Sequence, residues 1–236
     1  MKTALKMIIL LCLTMIVAIA GYYVVEIYKA RGYTESTVKP YLRIESLALD
    51  LRDMTERQLN ILLLVEDPAF FEHNGMDLST PGAGITSITQ SLVKLLYFKE
   101  FKPGIAKIKQ TLIAVFALDS LISKEDQLRL FINHVGLGGD TKGFEAAARQ
   151  VFGKPFKALT EDEYIALVAM IIAPQTFDVV RYPKRNAERV ERIKRLIAGE
   201  YRPKGLCDLY YGRMDKEVQK HLPPFSYFES YYEESK

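Results

Sequence analysis

ILLLVEDPAFFEHNG, residues 61–75, is an apolar run that ends in two adjacent carboxylates, Glu66 and Asp67, followed by a proline. If the apolar run is a helix that packs in a core, Glu66 emerges at the edge of that core. Burial at such a place raises the pKa of a carboxyl group and prepares it for general acid or base chemistry. The stretch also has a plainer interpretation, because Glu-Asp before a proline often does no more than end a helix.

Helical periodicity extends beyond this stretch. From residue 36 onward, apolar residues recur three and four apart with few alternating β-branched runs, which predicts an all-α domain. Ser123-Lys-Glu-Asp126 and Thr160-Glu-Asp-Glu163 each place a hydroxyl three residues before a carboxylate, a spacing typical of a helix start. The glycine-rich stretch GLGGDTKG, residues 136–143, is predicted to be a loop between helices.

The N-terminal region reads as a membrane anchor. Residues 7–25 carry no charge and are long enough to cross a hydrocarbon layer about 30 Å thick as a helix. Lys2 and Lys6 precede the run, as they would in a signal peptide, but the run is long and no small-residue cleavage site follows it. We therefore favour an uncleaved, single-pass anchor with a cytoplasmic N-terminus and the rest of the chain outside the cytoplasm.

Length and composition limit the remaining possibilities. Removing an anchor of about 30 residues leaves roughly 206 of the 236 residues, enough for one compact domain and too few for two full-sized enzymes. We expect three segments: an anchor over 1–30, a helical domain over 31–222 and a peripheral tail over 223–236. A net charge of +3 is too small to indicate nucleic-acid binding. Cys12 and Cys207 fall in different environments and are not expected to pair, and the separated histidines do not suggest a transition-metal site.

Positive charge is concentrated in two places. Residues 94–109, called the basic segment below, contain five lysines against the single acid Glu100. Residues 181–204 contain nine basic residues against three glutamates, spaced as expected for a solvated helix face. Contact with anionic lipid headgroups is the alternative interpretation of this second cluster.

The motifs around these features resemble glycosyltransferase family 51, the peptidoglycan glycosyltransferases found as monofunctional enzymes and as a domain of class A penicillin-binding proteins. The resemblance holds in order and spacing over about residues 55–200. Its first motif, EDxxFxxHxG, is matched in full by residues 66–75, and its second, GxSTITQQ followed by LVK, is similar to Gly84-Ile-Thr-Ser-Ile-Thr-Gln-Ser-Leu-Val-Lys94. The third, RKxxE, falls on Ala106-Lys-Ile-Lys-Gln110, and later patterns correspond to residues 133–154 and 163–174.

The resemblance implies a lysozyme-like helical fold and polymerisation of lipid II into β-1,4 glycan strands with inversion. It places Glu66 as the general base, because a sugar hydroxyl is a poor nucleophile without one. The diphosphate leaving group needs positive charge, which the resemblance assigns to Lys94, Lys102 and Lys107. Among Thr86, Ser87, Thr89 and Gln90 of the second motif, one or two are expected to contact sugar or phosphate oxygens. Ile85 and Ile88 between them indicate that this helix also packs.

The implied setting is the bacterial inner (cytoplasmic) membrane, with the catalytic domain on the periplasmic side. Lipid II and lipid-linked glycan chains are the implied partners, together with other cell-wall synthesis proteins. Among the lesser motif residues, we expect His73 to be a hydrogen-bonded structural histidine, and Phe70 and Phe71 to be mostly core.

Two departures from the family pattern keep other functions open. Gln110 stands where the family has a second glutamate, thought to assist at the diphosphate or through a bound Mg²⁺ or Mn²⁺, and an amide binds such cations less strongly. Residues 76–83 are shorter than the family's mobile lid. The chain is therefore an active polymerase, or a weakened or inactive relative that binds lipid II or acts as a scaffold. A lysozyme-like hydrolase is the third possibility, although cleavage to an alcohol leaving group has no need of the lysines.

Overall fold

Helix α1 runs from Lys2 to Tyr33 in the computed structural model, which describes residues 2–43, 47–102 and 104–220. It is the one helix among these residues that is long and apolar enough to cross a membrane, and none of its most apolar window is buried. The helical path continues past the boundary predicted at residue 30, through a π-helical turn, Thr34–Val38, into α2, Lys39–Arg43. The anchor helix therefore runs directly into the domain.

The domain consists of helices joined by short turns. A 3₁₀ turn, Leu51–Asp53, follows α2. Later in the chain there are a π-helical segment, Ala114–Asp119, and a second 3₁₀ turn, Phe156–Ala158. The α-helices that follow are α3 Glu56–Glu66, α4 Ile88–Tyr97, α5 Ile105–Ile113, α6 Lys124–His134, α7 Phe144–Phe152, α8 Glu161–Met170, α9 Pro183–Ile197 and α10 Lys216–Gln219. The described residues form no β-strand beyond an isolated bridge between Gly136 and Lys142. The predicted all-α class with an N-terminal apolar helix is confirmed.

Local capping explains where several helices begin. The hydroxyls of Ser123 and Thr160 accept hydrogen bonds from the backbone N–H groups of Asp126 and Glu163, so the two predicted helix starts are confirmed. The predicted loop at 136–143 lies between α6 and α7. Its last residue, Gly143, has φ +77°, and a Cβ there would meet the Asn133 carbonyl oxygen at 2.6 Å. Only glycine fits that position without displacing the backbone.

The core is built around α8. Every residue of this helix from Tyr164 to Met170 is buried, and α8 packs against α3, α7 and α9. The Tyr164 hydroxyl donates a hydrogen bond of 2.9 Å to the Gln58 carbonyl oxygen on α3. This packing fixes α3, whose last residue is Glu66, against the centre of the domain.

Cys12 and Cys207 are both free, as predicted. The tail predicted over 223–236 lies outside the described residues.

Candidate active site

Asp67 joins the first motif to the start of α4. Its carboxylate is fully buried and accepts a hydrogen bond of 2.9 Å from the Ile88 backbone N–H, the first residue of α4. The same carboxylate is hydrogen-bonded to His73 Nε2 at 2.9 Å. His73 is therefore a hydrogen-bonded structural residue, as predicted. Phe70 is core, also as predicted, but Phe71 is about half exposed.

Glu66 ends α3 with a half-buried side chain, and no described residue forms a hydrogen bond or ion pair with its carboxylate. Burial raises the pKa of Glu66 to about 7, with the Arg189 charge lowering it and the Asp67 charge adding to the rise. The direction of this shift is the one expected for a carboxyl group at the edge of a core. A carboxyl group with a pKa near neutrality can accept a proton and release it again at physiological pH.

Arg189 lies behind this carboxylate and was missed by sequence reasoning. Its side chain is 1% exposed, donates to the carbonyl oxygens of Ala169 and Leu209, and has no carboxylate ion-pair partner in the described chain. The guanidinium lies 5.6 Å from the centre of the Tyr211 ring, and the Tyr211 hydroxyl donates to the Val65 carbonyl oxygen at 2.6 Å. A buried cation is thereby held close to the end of α3.

The solvated-face interpretation of residues 181–204 is wrong for two of its members, because Arg189 and Arg192 are both buried. The signal was available in the spacing. Asn186, Arg189, Val190, Ile193 and Leu196 recur three and four apart on α9, and all of them are buried. Counting charges over residues 181–204 does not reveal this buried face of α9, because the count ignores the helical spacing.

The start of α4 is held by polar side chains that the resemblance assigned to substrate. Ser87 caps the helix and donates to the Gly75 carbonyl oxygen at 2.7 Å, while Gln90 completes the capping box and donates to Thr111 Oγ1 at 2.7 Å. The Thr89 hydroxyl donates to Gln127 Oε1 at 2.6 Å. Because these groups are buried and engaged inside the protein, we revise their assignment from substrate binding to support of the site.

The basic segment divides into two parts. Lys107 on α5 is partly buried and donates a hydrogen bond of 2.7 Å to the Thr86 hydroxyl, just before the α4 cap. Burial, with a contribution from the nearby charge of Lys94, lowers the pKa of Lys107 to about 8. Lys102 is instead 80% exposed and pairs with Glu100 at 3.2 Å. The structure therefore joins Lys107 to Thr86. It leaves Lys94 exposed, with its ammonium group 5.9 Å from the Phe101 ring centroid, and holds Lys102 in an exposed ion pair.

Gln110 points inward. It is 1% exposed, its Nε2 donates to the Gln90 carbonyl oxygen at 2.6 Å, and its Oε1 is buried without a hydrogen-bond partner. No group of three histidine, cysteine or acidic side chains in the described parts of the chain could hold a metal ion. Since Mg²⁺ and Mn²⁺ prefer carboxylate oxygens, a lone amide oxygen does not fit the cation that the family's glutamate is thought to bind.

The segment between the first two motifs is held in place by hydrogen bonds. The Asp77 carboxylate accepts hydrogen bonds from Ser79 and Thr80; burial alone would raise its pKa, but these hydrogen bonds outweigh burial and lower the pKa to about 2. The N–H groups of Gly82 and Gly84 donate to carbonyl oxygens at residues 205 and 206. This segment is thus tied to the C-terminal part of the domain.

Two contacts bring the chemistry to one end of α4. Asp67, next to Glu66, binds the first N–H of α4, and Lys107 binds Thr86, two residues before that N–H. A carboxyl group with a pKa near 7 and the ammonium group of Lys107 are therefore both linked to the α4 N-terminus, whereas Lys94 lies in the last turn of that helix. The N-terminus of the helix also carries partial positive charge.

Comparison with known proteins agrees with this arrangement. The family described as Transglycosylase matches residues 36–198. Penicillin-binding protein 1F of Bacillus subtilis is 27% identical over 215 residues, covering 79% of this chain and 30% of that protein. Penicillin-binding protein 1A of Haemophilus influenzae is 30% identical over 177 residues (70% and 20%), and penicillin-binding protein 1B of Escherichia coli is 31% identical over 156 residues (59% and 18%).

The chain spans less than a third of the length of these curated relatives. The matched region contains both motifs that meet at the start of α4, together with α8 and α9 behind them. An anchor-like helix precedes it, which fits a membrane-anchored protein. The resemblance seen in the motifs is thereby confirmed: the chain belongs to the transglycosylase family, glycosyltransferase family 51, the transglycosylase domain of class A penicillin-binding proteins.

Proposed function

We propose that this protein is a peptidoglycan glycosyltransferase that polymerises lipid II into β-1,4 glycan strands with inversion at the anomeric carbon. The observation that carries the proposal is the carboxyl group of Glu66, which is unpaired among the described residues and has a pKa near 7. It neighbours Asp67, which binds the N-terminus of α4, and Lys107 contacts Thr86 just before that N-terminus. Glu66 takes the proton from the 4-hydroxyl of the acceptor sugar as that oxygen attacks the donor. The carboxyl then returns the proton to solvent.

The leaving group is a lipid-linked diphosphate, which departs as an anion and needs no proton. Lys94 and Lys107 supply the positive charge that stabilises it, and the Thr86 hydroxyl donates a further hydrogen bond once Lys107 turns to phosphate. Lys107 remains mostly protonated at neutral pH, since its pKa is about 8. Lys102 joins the pair by leaving Glu100, an exchange of low cost for an exposed ion pair.

No step of this mechanism passes through a metal ion held by the protein. The buried amide of Gln110 does not offer a carboxylate site for one. We propose that any Mg²⁺ or Mn²⁺ that affects the reaction arrives with the diphosphate of the substrate.

The proposed setting is the bacterial cytoplasmic membrane, with α1 as a single span and the domain on its outer side. The substrate's lipid chain requires a membrane-adjacent site, and the direct continuation of α1 into the domain provides one. Lipid II and growing glycan chains are the proposed partners there, and other cell-wall synthesis proteins could dock on the same domain.

Lipid II binding without polymerisation is the second candidate function. One observation favours it: Gln110 replaces a charged residue and is buried against the α4 backbone, so it cannot offset charge at the diphosphate. In this alternative, the Glu66 motif serves the fold and the lysines serve binding alone.

Purified full-length protein incubated with lipid II, with and without Mg²⁺, separates these candidates. The variants are Glu66→Gln, Gln110→Glu and the matched control Glu56→Gln, an exposed acid at the other end of α3. Polymer from the wild type and the control, but not from Glu66→Gln, supports the transferase. Polymer from Gln110→Glu alone supports the binding protein. Degradation of preformed glycan strands without any polymer would overturn both in favour of a hydrolase.

A further inference from the structure

A pocket lies where the anchor helix meets the domain. It has a volume of about 330 Å³ and is formed between the C-terminal part of α1, the end of α4 and the inner face of α5. Its lining includes Glu26, Lys29, Tyr33, Tyr97, Lys99 and Lys109. Lys94 and Lys107, which the mechanism uses, do not line it.

The pocket carries surplus positive charge. Glu26 contacts both Lys29, at 3.1 Å, and Lys109, so one carboxylate is shared between two ammonium groups. Lys99 is exposed, and no residue in the described ranges forms an ion pair with it. Three lysines against one glutamate leave two positive charges facing the pocket.

One wall of the pocket is apolar and aromatic. The rings of Tyr33 and Tyr97 meet edge to face with centroids 5.1 Å apart, and the Tyr97 hydroxyl is hydrogen-bonded to Thr34 at 2.7 Å. Leu96, Phe98 and Ile113 extend the wall. A ligand that fits both walls has an anionic head and an apolar body.

The pocket lies at the level of lipid headgroups. Val25 is the last residue of the uncharged run and Glu26 is the first charge after it. At 1.5 Å per residue, Lys29 lies about 6 Å and Tyr33 about 12 Å beyond Val25 along the helix axis. A headgroup layer extends roughly 5–8 Å beyond the hydrocarbon on each side of a bilayer. Lys29, and Lys109 through its contact with Glu26, are therefore at phosphate height when α1 spans the membrane.

We propose that this pocket binds the headgroup of an anionic glycerophospholipid. Lys29, Lys99 and Lys109 hold the phosphate, and the glycerol and the first acyl carbons lie against Tyr33 and Tyr97. The site is separate from the diphosphate site, because Lys107 and Lys109 are two residues apart on α5 and point in different directions. Lys107 turns to Thr86, whereas Lys109 turns to Glu26 on the anchor.

Native mass spectrometry of the delipidated full-length chain tests the proposal. Phosphatidylglycerol is the anionic probe and phosphatidylcholine the zwitterionic one, and the wild type is expected to retain one phosphatidylglycerol in preference. Neutralising two of the three lysines in Lys99→Gln/Lys109→Gln should weaken retention by roughly 25-fold, about fivefold for each lysine near the headgroup. The matched control Lys142→Gln/Lys216→Gln removes two exposed lysines elsewhere and should leave retention unchanged.

Further variants and competitors test which ligand binds and whether it binds in this pocket. Ala30→Leu fills the pocket without changing its charge and should also release the lipid, whereas Lys107→Gln should not. Inorganic phosphate in excess should fail to displace the lipid. Equal retention by wild type and Lys99→Gln/Lys109→Gln, equal retention of the two phospholipids, or complete displacement by phosphate would each overturn the proposal. Because the assay contains no lipid II, its failure is distinct from failure of the proposed polymerisation.

Discussion

The ammonium group of Lys107 donates a hydrogen bond of 2.7 Å to the hydroxyl of Thr86. Lys107 belongs to α5, and Thr86 immediately precedes the cap of α4, so this contact joins the basic segment to the second motif. The hydrogen bond holds the ammonium group in a defined position but does not neutralise its charge, because a hydroxyl carries no charge. The lysine is therefore available to an arriving phosphate.

Lys107 should contribute directly to the rate of polymerisation. Lys107→Gln should lower the polymerisation rate about 10²–10³-fold, the usual effect of removing one group that stabilises charge in the transition state. Lys107→Arg keeps the charge and should retain much of the rate. The measurement is glycan polymer formed from lipid II over time. If Lys107→Gln polymerises at the wild-type rate, Lys107 has no role at the diphosphate.

The pH dependence follows from two groups. Glu66 must be deprotonated to act as a base and has a pKa of about 7, so the rate should rise as the pH passes upward through that value. Lys107 must be protonated and has a pKa of about 8, so the rate should fall above that pH. A narrow bell-shaped profile of polymerisation rate against pH is expected. A flat profile between pH 6 and 9, with chemistry rate-limiting, contradicts the assignment of both groups.

Glu66 should also affect stability with a definite sign. Its pKa in the folded protein is raised from 4.5 to about 7, so the folded state holds the proton more tightly than the unfolded state and loses stability as the pH rises through this interval. Glu66→Gln should escape that loss. We expect the variant to exceed the wild type at pH 8 by roughly 1–2 kcal/mol in the free energy of unfolding, since partial exposure reduces the full effect.

Thermal or denaturant unfolding of the detergent-solubilised chain at pH 5 and pH 8 measures this difference. The advantage of Glu66→Gln should be small at the lower pH and large at the higher one. Glu56→Gln, on the exposed start of the same helix, should show no such pH-dependent gain. If the difference in unfolding free energy between the wild type and Glu66→Gln is the same at both pH values, the Glu66 carboxyl is not desolvated.

Arg189 should set the acid limb of the activity profile. Its charge lowers the pKa of Glu66, so Arg189→Met should move that limb to higher pH. The same variant leaves the carbonyl oxygens of Ala169 and Leu209 without a donor, which should destabilise the fold by about 2–4 kcal/mol. Arg189→Lys keeps the charge and should restore the position of the limb even where stability is not regained. A limb that stays fixed in Arg189→Met limits Arg189 to a structural role.

The features that sequence predicted well are local ones. The helix starts at Ser123 and Thr160 depend on hydrogen bonds within four residues, and the partial burial of Glu66 follows from its place at the end of an apolar run. Ser87 and Gln90 had the same capping spacing, a hydroxyl three residues before an acceptor. The family resemblance directed attention to substrate instead, although the local signal was there.

The features that sequence did not reveal depend on tertiary packing. The burial of Arg189 arises because α9 lies on α8 and presents its buried face to carbonyl groups on another element. Whether a lysine of the basic segment reaches Thr86, Glu26 or Glu100 depends on how α4, α5 and the anchor converge. Charge counting treats these lysines alike, and only their placement separates them.

The junction of the anchor with the domain has a mechanical consequence. Ala30, Thr34 and Val38 are buried in the domain, and Arg31 donates to the Phe116 carbonyl oxygen and to the Ser120 hydroxyl. The membrane-spanning helix is thus packed against the domain and is not joined to it by a flexible linker. A bilayer that holds α1 also fixes the height and the orientation of Glu66 relative to the membrane plane. A glycan strand made here would therefore leave the protein in one direction.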